Sequence, residues 1–130
     1  MTTDANKGGR PSGYSEALAE QICSLIREGL SERQISMRAG MPSERTLCRW
    51  KDAHPEFCRT SMQARAAAAE AFDDQRRELC ERLAEEAQRR AQTGEGFPDG
   101  VVHACRIAMQ ELARSAAVRD DSRYGDRKRA

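Results

Sequence analysis

Two arginines four residues apart, Arg45 and Arg49, are the side chains of this 130-residue chain best suited to do chemistry. A guanidinium carries its donors in a planar fork, which matches the acceptor edge of guanine or the oxygens of a phosphate. At about 100° per residue, Arg45 and Arg49 fall on one side of a helix, and Leu47 and Trp50 on the other. A short helix with an apolar back and a cationic front suits a DNA major groove. Ser43 and Thr46 add hydroxyls at its start, where free backbone N–H groups gather and phosphate is held. Arg38 and Lys51 are expected as flanking phosphate contacts. Glu44 and Asp52 lie beside them and repel phosphate, so one such helix should bind only modestly.

The elements that must position these groups are legible upstream. Ser31 is an N-cap with Gln34 as its capping-box partner, opening a helix in which Ile35 and Ala39 share a face. Gly40 takes the left-handed conformation that ends it, Met41-Pro42 carries the turn, and Ser43 caps the next helix. This is a helix-turn-helix, although plain helix pairs with a glycine turn look similar. Before it, a first helix spans about Ser15 to Glu28. The expected core is Leu18, Ile22, Leu25, Ile35, Leu47, Trp50 and Phe57, which makes Trp50 a core residue rather than a contact. Residues 1 to 13 form an arm in which Lys7 and Arg10 flank Gly8-Gly9 and can reach a minor groove.

His54-Pro55 marks the next boundary, since proline suits a first helical turn. No Gly or Pro then interrupts the chain to about Gln92, roughly 38 residues or about 57 Å of helix. Its apolar stripe includes Cys58, Met62, Ala69, Phe72, Leu79, Leu83 and Ala87, interrupted by Arg65 and Arg76. Thr93 to Gly100 is a breaker. A last helix runs from about Val101 to Val118, with Val101, Cys105, Ala108, Leu112 and Ala116 on one side. Two such helices form an antiparallel hairpin whose narrow stripes are poorly buried alone. The expectation is a homo-oligomer assembled through Met62, Ala69, Phe72, Leu79, Leu83, Val101, Cys105, Ala108 and Leu112.

The fold is therefore expected to be all-α, with a helix-turn-helix head and a long antiparallel helical hairpin. The expected divisions are an arm at 1–13, a DNA-binding domain at 14–54, an oligomerisation domain at 55–118 and a basic tail at 119–130. Composition agrees, with 33% charged and 5% aromatic residues favouring helices over a large β core. The net charge of +1 gives no global pull toward nucleic acid. Its distribution does more: residues 1–51 carry +2, residues 52–100 carry −4 and residues 101–130 carry +3.

Other chemistries find little support. Five cysteines, odd in number and without a CxxC pair, read as reduced thiols in helices rather than as a zinc site or disulfides. The acidic pairs Asp73-Asp74, Glu85-Glu86 and Asp120-Asp121 point about 100° apart on a helix and read as solvated charge. His54 and His103 have no ligand partner at a useful spacing. No catalytic constellation, cofactor site or metal site is expected, and no apolar run is long enough to be a signal peptide or membrane span.

A run of residues in order resembles a known family, the phage terminase small subunits of the Sf6 type. Gly9-Arg10-Pro11-Ser12 with Tyr14 looks like its opening, and Ile22-Cys23-Ser24-Leu25 with Gly29 like its first helix. Gly40-Met41-Pro42-Ser43, Thr46, Arg49-Trp50, His54 and Phe57 resemble its turn and recognition helix. Arg123-Tyr124-Gly125-Asp126-Arg127 resembles its closing motif. Gln34 and Ser61 depart from the pattern, at positions where relatives carry a basic and an aromatic residue.

The resemblance implies a ring-shaped homo-oligomer that binds the packaging site on double-stranded viral DNA. It implies delivery of that DNA to the terminase large subunit, the ATPase and nuclease, which the small subunit regulates without being an enzyme itself. It maps Lys7, Arg10, Arg45, Thr46, Arg49 and Lys51 onto the DNA-facing head, and residues 55–118 onto the assembling hairpin. It implies the cytoplasm of the infected bacterial host as the location, outside the virion. The rival readings are a dimeric helix-turn-helix transcription regulator, the DNA-binding piece of a recombinase, and an interaction scaffold with a vestigial helix-turn-helix.

Overall fold

The computed structural model describes residues 13–125, which form six helices and no strand. These are α1 (Glu16–Arg27), α2 (Glu32–Ser36), α3 (Glu44–Ala53), α4 (Pro55–Thr93), α5 (Val101–Arg119) and α6 (Asp121–Tyr124). The chain divides into two compact units, one ending at Ala68 and one beginning at Ala69, so α4 belongs to both.

In the first unit each short helix is started by a serine. Ser15 Oγ accepts the Leu18 N–H at 3.1 Å and opens α1. Ser31 Oγ accepts the Gln34 N–H at 3.1 Å, and Gln34 Oε1 accepts the Ser31 N–H at 2.8 Å, so the capping box at α2 is complete. Ser43 Oγ accepts the Thr46 N–H at 3.2 Å and opens α3. The apolar stripes of these helices meet in one core containing Ile22, Cys23, Ile26, Ile35, Leu47 and Trp50, to which α4 adds Phe57 and Ala64. All seven expected core residues lie in it or, for Leu18, partly buried against it.

One expectation needs correction. The second helix stops at Ser36 rather than running to Ala39, and Ala39 is exposed instead of sharing the buried face of Ile35. The cause is local. Ser36 Oγ donates to the Arg33 carbonyl at 2.7 Å, and the N–H groups of Met37 and Arg38 reach back three residues, to Gln34 and Ile35. These shorter bonds tighten the last turn and end the helix early. Gly40, at φ +81°, then takes the left-handed position that the turn requires.

In the second unit α4 and α5 run antiparallel. The Arg119 guanidinium lies 4.8 Å from the Phe72 ring centre, Cys80 Sγ is 3.0 Å from Met109 Sδ, and Arg90 sits 5.2 Å from the Phe97 ring at the loop. As position rises along α4, its partner falls along α5. The connecting loop is shaped by Gly94 and Gly100, both at positive φ, and by Arg90 donating to the Gly96 carbonyl at 2.7 Å.

Sequence reasoning left residues 119–130 as a tail, yet Asp121–Tyr124 form α6, which packs back on α5. The chain closes there so tightly that a Cβ on Gly125 would stand 2.5 Å from the Asp121 carbonyl oxygen. This explains why glycine follows Arg123-Tyr124.

Asp73 of α4 is buried, and its carboxylate accepts from Arg76 at 2.9 and 3.1 Å and from Arg77. Burial alone would raise its pKa, but the Arg76 hydrogen bonds and the two guanidinium charges outweigh this and hold it below the ordinary value of 3.8. A depressed carboxylate stabilises the fold above its unfolded pKa, and that contribution fades as pH falls through the folded value. Asp73→Asn is therefore expected to cost about 1–2 kcal/mol at pH 7, the partly exposed guanidiniums keeping it small. Denaturant titrations of both proteins should show the difference shrinking as the pH is taken well below the ordinary aspartate value.

Candidate nucleic-acid interface

The rotation of α3 about its own axis is set by what it buries. Leu47 is 1% exposed and Trp50 8% exposed. Trp50 and Tyr14 meet edge to face at 5.3 Å and 90°, and His54 stacks on the Tyr14 ring at 3.6 Å and 9°. Phe57 closes the cluster at 6.0 Å from Tyr14. Burial, then the carboxylates of Glu16 and Glu56, raise the Tyr14 pKa, so its hydroxyl stays protonated. With the indole fixed inward, Arg45, Cys48, Arg49 and Asp52 are left on the exposed side.

No carboxylate pairs with Arg45 or Arg49 among the described residues. Arg49 Nη2 is 3.4 Å from Thr46 Oγ1, and Ser43 Oγ donates to the same oxygen at 3.1 Å. The two hydroxyls and one guanidinium thus form a short chain of hydrogen bonds across the start of α3. Ser43 is committed to capping, while Thr46 keeps its own O–H free to donate outward. Arg38 is exposed in the turn. These five residues share one stretch of chain and one short helix start.

Lys51 stands differently. Its Nζ is 2.5 Å from Glu32 Oε2, with both side chains about a quarter exposed, so it ties α3 to α2. Nothing in the local spacing signals this pairing, because the two residues are nineteen apart. Likewise the stacking of Tyr14 on His54 joins residues forty apart and had no periodic signature. Lys7 and Arg10 lie outside the described residues.

The expected assembly residues have mixed surroundings. Met62 is exposed and Ala69 is fully buried. Phe72 sits half-buried under Arg119. Leu79, Leu83, Val101 and Cys105 line an open groove of about 320 Å³ at the loop end of the hairpin. Leu112 is half-buried and Ala108 exposed. Ile107 and Val118, which the sequence reading passed over, are large apolar side chains left about half or more exposed.

No cluster of three or more metal-ligating His, Cys, Asp or Glu side chains occurs among the described residues, and none of their helices is long and apolar enough to cross a membrane.

A helix-turn-helix head and an all-α helical hairpin define the class. A family model described as Bacteriophage Sf6, terminase small subunit-like, matches residues 14–130, and the chain belongs to that family. Crystal structures of the terminase small subunit gp1 of the bacterial virus Sf6, each with one substitution, share the fold. One aligns with a TM-score of 0.57 at 26% identity, covering 90% of this chain and 85% of the other. A second gives 0.58 at 26% identity, with 90% and 81% covered. The uncharacterized protein YffO of Escherichia coli strain K12 is 51% identical over 51 residues, 39% of this chain. The match spans only 37% of that relative's length.

Replacing the α3 cap tests how the interface is held. Ser43→Ala removes the acceptor for the Thr46 N–H and the donor to Thr46 Oγ1. It is expected to lower stability by about 1 kcal/mol in urea titration, the usual magnitude for losing a serine N-cap.

Proposed function

We propose that this chain recognises double-stranded viral DNA at a packaging site and presents it to the terminase large subunit, whose activity it regulates without catalysis of its own. The reading rests on α3, where Leu47 and Trp50 are sealed inside while Arg45 and Arg49 stand outward without a carboxylate partner. Family membership over residues 14–130 supplies the biological setting. In this reading Arg45 and Arg49 address base edges or phosphates, and Thr46 and Arg38 hold phosphate. Lys51 adds charge while clamping α3 to α2, and Lys7 and Arg10 extend the contact from the arm. Residues 14–54 are the DNA-binding domain and residues 55–118 the assembly domain. The setting is the cytoplasm of the infected bacterial host.

Assembly into a ring is the part of this reading supported by the apolar side chains that the second unit leaves exposed, Val102, Ile107 and Val118, together with the groove formed by Leu79, Leu83, Val101 and Cys105. Several weak heads on one closed assembly raise the effective concentration of each for the same DNA. Bending of the DNA around such an array adds selectivity without further base contacts.

Arg49→Ala is expected to weaken binding to duplex DNA about tenfold and to leave the native mass unchanged. A lost phosphate contact also lowers the slope of log affinity against log salt by about 0.9. Unchanged affinity in a mobility-shift titration removes Arg49 from the interface. A native mass measurement of the unaltered chain is expected to give a closed number above two. A mass of two chains favours the dimeric regulator instead.

A further inference from the structure

The first unit carries a second feature, whose exposed carboxylates are opposite in sign to the α3 arginines. Between α1 and the start of α4 lies an open cleft of about 240 Å³. Its floor is apolar, made by Ala19, Cys23 and Phe57, all under 10% exposed. Its rim carries Glu16, Glu20 and Glu56. Glu56 is occupied by Arg59 at 2.6 Å, but Glu16 and Glu20 have no basic partner among the described residues. At the far end of the rim stands Arg27, also without a carboxylate partner. Burial pushes the Cys23 thiol pKa up, so the floor carries no charge of its own.

We propose that this cleft receives the α3 ridge of a second copy of the chain. Three observations choose that occupant. Glu16 and Glu20 are four residues apart, as are Arg45 and Arg49, so each pair spans the same rise of about 6 Å. Along α1 the exposed pair is acidic and along α3 the exposed pair is basic, with Glu44 and Asp52 flanking the arginines. Glu16, Glu20, Arg45 and Arg49 lack an ion-pair partner among the described residues. The arginine stems are apolar and can lie along the Ala19 and Phe57 floor while the guanidiniums meet the carboxylates. The contact joins unlike surfaces, so it is head-to-tail and compatible with closure into a ring.

Exposed ion pairs are individually weak, so the contact depends on copies already held close together. It has one consequence that rests on the DNA-binding reading above. The ridge cannot serve a neighbour's cleft and a duplex at once, so heads that engage DNA release each other.

The test uses a native reporter. Cys48 is an exposed thiol between Arg45 and Arg49. Thr60 lines the cleft and carries no charge, so Thr60→Cys places a second thiol there without disturbing the rim. In the full chain under mild oxidation by oxidised glutathione, an interchain Cys48 link to position 60 is expected to dominate in peptide mapping by mass spectrometry. Adding Glu16→Gln and Glu20→Gln should reduce its yield at least fivefold. Glu28→Gln, which removes one carboxylate just past the end of α1 and outside the cleft, should leave the yield unaltered. A link insensitive to the paired substitutions, or Cys48 joining other cysteines as readily, overturns the proposal. Absence of the link overturns the assignment to a second copy. Short duplex DNA is expected to suppress the link. A link that forms yet survives saturating DNA upholds the head contact and defeats the claim that DNA uses the same ridge.

Discussion

Burial of Trp50 is the constraint from which the head takes its character. The indole is held edge-on by Tyr14, and Tyr14 is stacked face-on with His54, the residue that ends α3. Three side chains from the start of the described chain, the middle of α3 and its C-cap therefore fix one helix in rotation. Leu47 lies about 60° from Trp50 around the axis and shares the buried side, while Arg45 falls about 140° and Arg49 about 100° from Trp50. The cationic ridge is thus a consequence of core packing and needs no attraction to hold it outward. The same packing leaves Glu44 and Asp52 exposed next to the arginines, so the ridge is mixed rather than uniformly basic.

How much of this was legible in the sequence follows from the range of the interactions. Caps act over three residues, and Ser31 and Ser43 announced two helix starts that the structure keeps. Helical periodicity acts over one or two turns, and it picked out the core residues from Leu18 to Phe57. The end of α2 was missed because the Ser36 hydroxyl turns back to Arg33, a choice between two local bonds that periodicity does not register. The pairing of Lys51 with Glu32 and the stacking of Tyr14 on His54 depend on the folded head. Nothing in their spacing encodes them, although each changes what its residues do. Lys51, expected as a free phosphate contact, spends its charge partly on holding α2 to α3.

The hairpin shows the same limit from the other side. Spacing placed Phe72, Leu79, Leu83, Val101, Cys105 and Leu112 on two stripes, and offered them all to neighbouring copies. In the structure the two helices meet with Phe72 under Arg119 and Cys80 against Met109, and Leu79, Leu83, Val101 and Cys105 line one groove between them. Such stripes are only half-buried by a two-helix pair, which cannot enclose a core. Ile107 and Val118 remain on the outer side of α5, beyond the pattern that sequence reading followed. The closing motif was readable as a signature and opaque as a structure. Its glycine is needed because α6 turns back so closely that a Cβ would meet the Asp121 carbonyl, a clash that appears only once the helix exists.

A net charge of +1 sets the terms on which such a chain can meet DNA. Long-range attraction is weak, and at physiological salt exposed charges are screened beyond about 8 Å. On the proposed reading the arginines therefore act at contact distance, where their fork geometry matters more than their sum. On the proposed DNA-binding reading, one head with two outward guanidiniums and a capped helix start replaces few counterions and binds weakly. Specific binding on that reading comes from repetition of the head rather than from its strength, which gives the apolar surface of the hairpin as large a part in it as the ridge.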